Sequence, residues 1–486
     1  EYRGSCRRMA ALLAIRAALS VVAPTAAPPT VVPPIDATRL GSTCRRADGN
    51  LLQGVHADVA ACALAARVLQ RVPELSSWDG WYKHPRVLSN GHVHTILAAK
   101  LRSTRAVRYH RQLVGTPDGG TLAIDLLAGI RRVRQTTPAR SRPFFAGGAI
   151  AGAAESTSDT FFVDEPPPLD ADRPMLLLAS GLGGGSQDTY VRSMAARAAE
   201  RGWQVAVINM RACGSSPVTS PRLFSAYRGA NDDIRTAVAH LRQTRLGGRK
   251  DAKFAAVGWS NSGTIINNVL AEQATTHSDP SCAIDAAASL ATPLNMPANS
   301  ENLRRPFHHL VYDRTLGKSL QSLWAAARDQ YLDAEGNPLS IPRWDGKGTF
   351  QVDDELCRTA RSIRELDEGV TRRQYGYGSV DEYYASASSD QRLPLIQTPL
   401  LLLNAYDDPI VPGLSLQKAI TAARANPAIV FALTSHGGHL GWCERGETIP
   451  WGGPAWAERV TCGFLEAALD INPSLECEQT SCEIFD

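Results

Sequence analysis

The chain has 486 residues, 44% of them hydrophobic and 7% aromatic, so it can bury a large core in one α/β domain with insertions. Its formal net charge is +3, but residues 1–46 carry seven arginines against two acidic residues, which leaves −2 for the remainder. This nearly neutral body argues against a nucleic-acid surface, and ten cysteines without C-x-x-C or zinc spacing favour reduced thiols in an intracellular protein.

The N-terminal segment differs in composition from the rest of the chain. The apolar, alanine-rich stretch Met9–Ala27 contains Arg16, and an arginine at the centre of a bilayer costs about 2.5–3.5 kcal/mol, which disfavours a spanning helix. This composition, followed by the proline-rich Pro24–Pro34, is typical of a transit peptide and linker for a plastid or mitochondrion. We therefore predict that residues 1–75 form a disordered targeting segment, with membrane association through this segment as the alternative.

Residues 76–470 alternate between strand-like and helix-like patterns, and residues 471–486 form a C-terminal tail. The strand-like runs are Met175–Ala179, Gln204–Ile208, Lys253–Val257, Ala283–Leu290, Leu400–Ala405 and Ile429–Thr434. The helix-like stretches include Tyr190–Arg201, Asp232–Thr244, Thr264–Glu272 and Pro412–Arg424. This alternation predicts an α/β fold with a mostly parallel sheet covered by helices on both faces.

A glycine-rich loop follows the first of these runs, with the sequence Ser-Gly-Leu-Gly-Gly-Gly-Ser over residues 180–186. Such a loop can bind phosphate, but the lysine of a P-loop is absent here. The one Gly-Lys-Ser sequence, at Gly317, has Tyr312 where the first glycine of that motif would stand. Nucleotide binding is therefore disfavoured.

Residues 257–263 read Val-Gly-Trp-Ser-Asn-Ser-Gly, between a strand-like run and a helix-like stretch. A serine on a sharp strand-to-helix turn stands clear of the sheet, and the N–H groups at the start of the helix face any anion that forms beside it. This pattern predicts Ser260 as a nucleophile. Taken alone, a G-x-S-x fragment is equally compatible with an ordinary turn.

Two acidic residues and two histidines follow the last two strand-like runs. Asp408 is preferred over Asp407 as a triad acid because Asp-Pro-Ile-Val-Pro leaves the strand at once; a solvated pair that opens a turn is the alternative. A serine nucleophile needs a base with a pKa near 7, which is the ordinary range of histidine. His439 is preferred because the preceding Gly-Gly frees the loop to turn the ring toward the serine, and His436 is the alternative. Serine, acid and histidine, each just after a strand, stand in the chain order of the α/β-hydrolase triad.

The chain resembles the AB-hydrolase-4 group of α/β-hydrolases, which includes lipases, phospholipases, esterases and plant embryogenesis-associated proteins. The motifs that carry this resemblance span residues 84–443: His84-Pro85, Asn90–Ile96, Thr116–Gly120, Gly183–Ser186, Tyr190-Val191, Asn209–Ser216, the Ser260 turn, Tyr383–Ser389, Asn404–Pro409 and Gly437–Trp442. Two positions depart from the family pattern. Ser180 stands where His-Gly usually begins the glycine-rich loop, and Ser262 replaces the second glycine of G-x-S-x-G.

The resemblance implies further roles. In an α/β-hydrolase the oxyanion donors are the N–H groups of one residue in the glycine-rich loop, here Leu182, and of the residue after the nucleophile, here Asn261. A cap is expected over about residues 293–397, and its aromatic residues mostly pack the cap down. Asp367 also matches the family pattern, and a helix cap or ion pair is its expected role.

We therefore predict a serine hydrolase that acts on small-molecule carboxylic esters, and the resemblance implies lipid or medium-chain acyl esters. The alternatives are an acyltransferase that uses an alcohol in place of water, and a non-catalytic binding protein of the same fold. No organic cofactor is expected. No metal is expected either, because His92, His94, His308 and His309 lack acidic or cysteine partners at useful spacing.

Overall fold

The structure, a computed structural model, describes residues 54–57, 63–77, 80–85, 88–131, 157, 159–445, 455–471 and 483–485. Most of residues 1–75, for which the sequence predicts a targeting segment, lie outside these ranges, as does most of the C-terminal tail. Within the described ranges, no helix combines the length and the apolar composition needed to cross a membrane.

The described residues form one large sheet and a short two-stranded sheet. The strands are β1 (Gly54–His56), β2 (Val107–Gly115), β3 (Thr121–Arg131), β4 (Thr160–Phe162), β5 (Met175–Ala179), β6 (Gln204–Asn209), β7 (Phe254–Trp259), β8 (Ala286–Leu290), β9 (Ile341–Pro342), β10 (Thr349–Phe350), β11 (Leu400–Ala405), β12 (Ile429–Thr434) and β13 (Glu483–Phe485). The large sheet has the order β1-β12-β11-β8-β7-β5-β6-β3-β2-β4, with β13 beside β3, and β9 pairs with β10.

The centre of the large sheet is parallel, from β6 through β5, β7, β8 and β11 to β12. Strand β3 runs antiparallel to both β2 and β6. Every residue of β5, β6 and β7 is buried, as expected for strands with apolar side chains packed on both faces. The predicted α/β fold with a mostly parallel sheet is confirmed.

The helices outside the segment between β8 and β11 cover the faces of this sheet, and the described residues form fifteen α-helices in all. They are α1 (Ala63–Arg71), α2 (Pro73–Ser76), α3 (Gly91–Leu101), α4 (Thr189–Glu200), α5 (Gly229–Arg245), α6 (Asn261–Thr275), α7 (Met296–Leu303), α8 (Pro306–His308), α9 (Arg314–Ala327), α10 (Asp354–Thr359), α11 (Ile363–Leu366), α12 (Arg372–Gln374), α13 (Val380–Ala387), α14 (Gln417–Ala425) and α15 (Trp456–Leu469). Helix α14 begins later than the predicted Pro412 because Gly413–Leu416 form a 3-10 turn first.

The packed structure reaches beyond the limits 76–470 that the sequence predicts for the domain. Strand β1 pairs antiparallel with β12, and α1 packs against α15, where Arg71 lies 2.7 Å from Asp470. At the other end of the chain, β13 pairs in parallel with the end of β3. Strands β1 and β13 have three residues each and are too short to be recognised from their own sequence, since their positions are fixed by the strands that they pair with.

The segment between β8 and β11, which holds the predicted cap over residues 293–397, contains α7 to α13 and the β9–β10 pair. Two π-helical turns interrupt its helices, at His309–Asp313 and at Asp367–Thr371. Side chains of this segment meet the loops after β5, β7 and β12 around one cavity. That cavity therefore lies at the carboxyl ends of parallel strands, where α/β proteins usually bind ligands.

Candidate active site

Ser260 stands on the sharp turn that joins β7 to α6. Its backbone φ of 51° and ψ of −121° form a conformation that residues other than glycine rarely adopt. Its N–H donates to the carbonyl oxygen of Leu290 at 2.9 Å, which ties the turn to the end of β8. A Cβ at Gly263 would lie 2.0 Å from Oγ1 of Thr292, so a larger residue here would have to displace the buried Thr292 side chain. The turn thus holds the Ser260 side chain at the end of the strand.

The structure brings the three predicted residues together. Nε2 of His439 lies 3.1 Å from Oγ of Ser260, and Nδ1 of His439 lies 2.8 Å from Oδ2 of Asp408. The second oxygen of Asp408 accepts hydrogen bonds from the N–H groups of Ile410 and Val411 at 2.8 and 2.9 Å. These bonds fix the carboxylate, which can then hold Nδ1–H of the imidazole and leave Nε2 to accept the serine proton.

The two alternative residues lie in other environments. The His436 ring stacks on His84 with 3.9 Å between ring centroids, and burial lowers the pKa of His436 to about 4. Oδ1 of Asp407 accepts a hydrogen bond from the N–H of Gly438 at 2.9 Å, and burial raises the pKa of Asp407 to about 7. Asp407 therefore holds the backbone of the histidine loop, and the geometry favours His439 for the contact with Ser260 and Asp408 for the contact with His439.

The loop after β5 is held by a buried cluster of polar side chains. The hydroxyl of Ser180 lies 2.5 Å from Oδ2 of Asp188 and 2.6 Å from the hydroxyl of Tyr190. The N–H of Gly181 donates to the same Tyr190 hydroxyl at 3.0 Å. Because the Gly181 N–H is engaged, the next N–H, that of Leu182, is the better candidate for an oxyanion donor.

Leu182 and Asn261 line the same cavity as Ser260. Asn261 is the first residue of α6, so its N–H has no acceptor within the helix. A Cβ at Gly181 would lie 3.4 Å from Cβ of Ser260, which shows how closely the loop approaches the serine. Both predicted donors thus lie beside the nucleophile turn.

The cavity beside Ser260 and His439 has a volume of about 560 Å³. Most of its apolar lining is aliphatic and comes from the cap: Leu303, Leu316, Leu320, Leu356 and Leu366. Among the aromatic residues of the predicted cap, Tyr383 and Tyr384 line the cavity, whereas six others do not: Phe307, Tyr312, Trp324, Tyr331, Trp344 and Phe350. Four of the six, namely Tyr312, Trp324, Tyr331 and Phe350, are buried in the hydrophobic core, as the sequence predicts for most of the cap aromatics.

Part of the cavity wall is polar. Asp313 and Asp367 lie on the two π-helical turns and line the cavity. The hydroxyl of Tyr384 donates to Oδ2 of Asp367 at 2.8 Å, and burial raises the pKa of Asp367 to about 6. This bond differs from the helix cap or ion pair expected for Asp367. An aliphatic wall with a polar part suits a molecule that has an apolar chain and a polar group.

Comparison with known proteins identifies the family. A family model described as the alpha/beta hydrolase fold matches residues 174–441, which is more than half of the chain. The chain belongs to the α/β-hydrolase family. In this hydrolase the matched range contains Ser260, Asp408 and His439 together with the whole segment between β8 and β11.

Curated relatives agree with the resemblance to the AB-hydrolase-4 group. Embryogenesis-associated protein EMB8 of Picea glauca is 30% identical to the hydrolase over 386 residues, which cover 79% of this chain and 72% of that protein. Monoacylglycerol lipase of Saccharomyces cerevisiae is 29% identical over 425 residues, 84% of this chain and 86% of that protein. Phospholipase ABHD3 of Homo sapiens is 27% identical over 354 residues, 73% of this chain and 71% of that protein.

Two of the histidines considered above as metal ligands, His92 and His94, make other contacts in the hydrolase. Within the part of the chain that the structure describes, no three His, Cys, Asp or Glu side chains are grouped as metal ligands. Nδ1 of His92 lies 2.8 Å from the hydroxyl of Tyr312, and Nε2 of His94 accepts a hydrogen bond from the N–H of Cys443 at 3.0 Å. Both histidines belong to the family motif Asn90–Ile96, but the sequence of this motif alone does not predict these contacts.

Proposed function

We propose that the protein is a serine hydrolase that cleaves carboxylic esters, with Ser260 as nucleophile, His439 as general base and Asp408 as the residue that orients His439. The observation that carries this proposal is the continuous line of contacts from Asp408 through His439 to Ser260, at the wall of a cavity. The lipase and phospholipase names of the relatives support the reaction class.

The proposed reaction has two halves. Oγ of Ser260 attacks the ester carbonyl carbon while Nε2 of His439 takes the hydroxyl proton, and the N–H groups of Leu182 and Asn261 stabilise the oxyanion. The alcohol leaves with the proton from His439, and an acyl-serine remains. Water then attacks this acyl group, again with His439 as base, and the carboxylic acid is released. Every group in these steps is a residue of the chain, the substrate or water.

The substrate class follows from the cavity and from the relatives. Aliphatic side chains of the cap face the cavity, so an acyl chain would bury apolar surface there, at about 25 cal/mol for each Å² removed from water. Two relatives are named for lipids, a monoacylglycerol lipase and a phospholipase. We therefore propose medium-chain acyl or lipid esters as substrates, with residues 293–397 acting as the cap that encloses the acyl chain.

A fluorophosphonate probe, which reacts with activated serines, tests the nucleophile. Wild-type protein and the Ser300→Ala variant should be labelled, whereas Ser260→Ala should not. Ser300 lines the same cavity, so it is a matched control for a serine that is merely accessible. Equal labelling of wild type and Ser260→Ala would show that another residue is the nucleophile. Absence of labelling in wild type would favour a non-catalytic binding protein.

Two matched pairs test the other roles. Asp408→Asn should lower kcat about 10⁴-fold, as loss of the orienting acid does in such triads, and Asp407→Asn should cost much less. His439→Gln should abolish hydrolysis of p-nitrophenyl esters, while His436→Gln should keep kcat within about twofold, because His436 stacks on His84 away from Ser260. If Asp407→Asn lost more activity than Asp408→Asn, the assignment of the acid would be reversed. If His436→Gln lost more than His439→Gln, the assignment of the base would be reversed.

A further inference from the structure

The first turn of α3, residues 90–95, contacts both loops that carry the proposed acid and base, although it does not line the cavity. The side chain of Asn90 caps this helix, where its Oδ1 accepts hydrogen bonds from the N–H groups of His92 and Val93 at 2.9 and 3.3 Å. The cap fixes the start of the helix and thereby the direction in which the following side chains point. This turn lies within the family motif Asn90–Ile96, which the described residues do not explain as a metal site.

Thr95 makes the most direct contact with the histidine loop. The N–H of His439 donates to Oγ1 of Thr95 at 2.8 Å, and the Thr95 hydroxyl donates to the carbonyl oxygen of Gly91 at 2.7 Å. Because its proton is directed at Gly91, the hydroxyl presents a lone pair to His439. Thr95 is buried, so water cannot easily replace this bond.

The backbone of α3 also lies directly against both loops. A Cβ at Gly91 would lie 1.8 Å from the carbonyl oxygen of Asp407, next to the proposed acid. A Cβ at Gly438, whose φ is +57°, would lie 2.6 Å from Oγ1 of Thr95 and 2.7 Å from the carbonyl oxygen of Gly91. Neither approach leaves room for a side chain, so the position of the helix determines the position of the loops.

His94 contacts the same loop after His439. Its Nε2 accepts a hydrogen bond from the N–H of Cys443 at 3.0 Å, and burial lowers the pKa of His94 to about 3. The ring therefore stays neutral and keeps this acceptor at physiological pH. Together, Thr95 and His94 bind the histidine loop at His439 itself and four residues later.

We propose that Thr95 is a positioning residue for His439, with the first turn of α3 as the support that sets the distance between His439 and Ser260. This inference rests on the proposed function, since it assigns a role relative to the proposed base. The imidazole meets Asp408 and Ser260 at 2.8 and 3.1 Å, and a displacement of about 1 Å from a change outside the reacting groups can cost about 100-fold in rate.

The test replaces the hydroxyl of Thr95 with a methyl group of similar size. Thr95→Val should lower kcat about 10- to 100-fold, leave KM within about twofold and slow fluorophosphonate labelling to a similar extent. Thr95→Ser, which keeps the hydroxyl, should restore most of the rate. If Thr95→Val does not fold, Thr95→Cys weakens both hydrogen bonds with little change in volume and takes its place.

Thr461→Val is the matched control. Thr461 is also a buried helical threonine, and its hydroxyl donates to the carbonyl oxygen of Ala457 at 2.7 Å, four residues earlier, as that of Thr95 does to Gly91. Thr461→Val should lower thermal stability comparably and keep kcat. Equal labelling rates and equal kcat in wild type and Thr95→Val, or equal losses in the two valine variants, would overturn the positioning role alone. A wild type that is neither labelled nor active would overturn the proposed function, and this role with it.

Discussion

The hydroxyl of Ser262 donates a hydrogen bond to the backbone carbonyl oxygen of Ser180. These are the two positions at which the chain departs from the family pattern, and the structure shows that they contact each other. The contact joins the first turn of α6 to the end of β5, and so joins the nucleophile turn to the loop that holds Leu182. The bond uses only the backbone of residue 180, so it depends on the side chain of Ser262, and a glycine at position 262 cannot make it.

Ser262→Ala should destabilise the protein by about 1–3 kcal/mol, because the buried carbonyl oxygen of Ser180 loses a donor while the packing volume barely changes. Urea unfolding of wild type and variant measures this difference. Ser262→Gly, which restores the family pattern, should lose the same bond and a further ~1 kcal/mol for a glycine in a helix. A glycine variant as stable as wild type would show that the hydroxyl contributes nothing.

The hydrogen bond between Tyr312 and His92 joins the cap to α3, and Tyr312→Phe removes only its hydroxyl. Burial lowers the pKa of His92 to about 4, so this bond persists across the neutral range. Since a hydrogen bond contributes about 0.5–1.5 kcal/mol, KM for acyl esters should rise up to about tenfold, because the predicted cap is held less firmly against α3. The value of kcat should change little, because Tyr312 does not line the cavity.

Tyr331→Phe is the control for this prediction. The hydroxyl of Tyr331 donates to Oε1 of Gln374 at 2.8 Å, and both residues belong to the cap. This variant should lose a comparable amount of stability without the same rise in KM. A rise in KM that is equal in the two variants would mean that the link to α3 has no special effect on substrate binding.

Residues whose positions follow from local sequence patterns could be predicted. Residues whose roles depend on contacts between distant parts of the chain could not. The apolar strands, the turn after β7 and the order of the residues along the chain predict Ser260, Asp408 and His439. Each of them follows an apolar strand, and parallel strands end at the same edge of the sheet. The support from Thr95 could not be predicted, since it lies 344 residues away from its partner along the chain. The β1 and β13 strands are equally invisible, because three residues carry no pattern and gain their structure from the neighbouring strand.

Leu316→Trp tests whether the cap encloses the acyl chain. Leu316 lies on α9, is buried and lines the cavity, so a larger ring there fills space that a long acyl chain would need. The variant should lose at least tenfold in kcat/KM on p-nitrophenyl esters of medium chain length and much less on the acetate, which serves as the internal control. Thermal unfolding should show a cost of about 1–3 kcal/mol from overpacking. A uniform loss across chain lengths would place the acyl chain elsewhere.

Asp407 makes the stability of the protein depend on pH. Burial, and secondarily the nearby charge of Asp408, raise the pKa of Asp407 to about 7, and among the described residues its Oδ2 has no hydrogen-bond partner. Between about pH 4 and pH 7 the folded state therefore holds a proton that the unfolded state has released. The contribution of the protonated Asp407 carboxyl to the free energy of unfolding is complete below pH 4 and is lost as the pH rises to 7.

Asp407→Asn should remove this dependence, because the amide stays neutral and keeps an oxygen that can accept from the N–H of Gly438. Near pH 4 the two proteins should have similar stability, and by pH 7.5 the variant should be more stable by on the order of 4 kcal/mol, since each pKa unit corresponds to about 1.4 kcal/mol. Urea unfolding at a series of pH values measures both curves. Asp164→Asn, at an exposed aspartate, is the control for an Asp-to-Asn change as such. If the free energy of unfolding of Asp407→Asn depends on pH in the same way as that of wild type, Asp407 is ionised in the folded protein and its charge is stabilised by the loop.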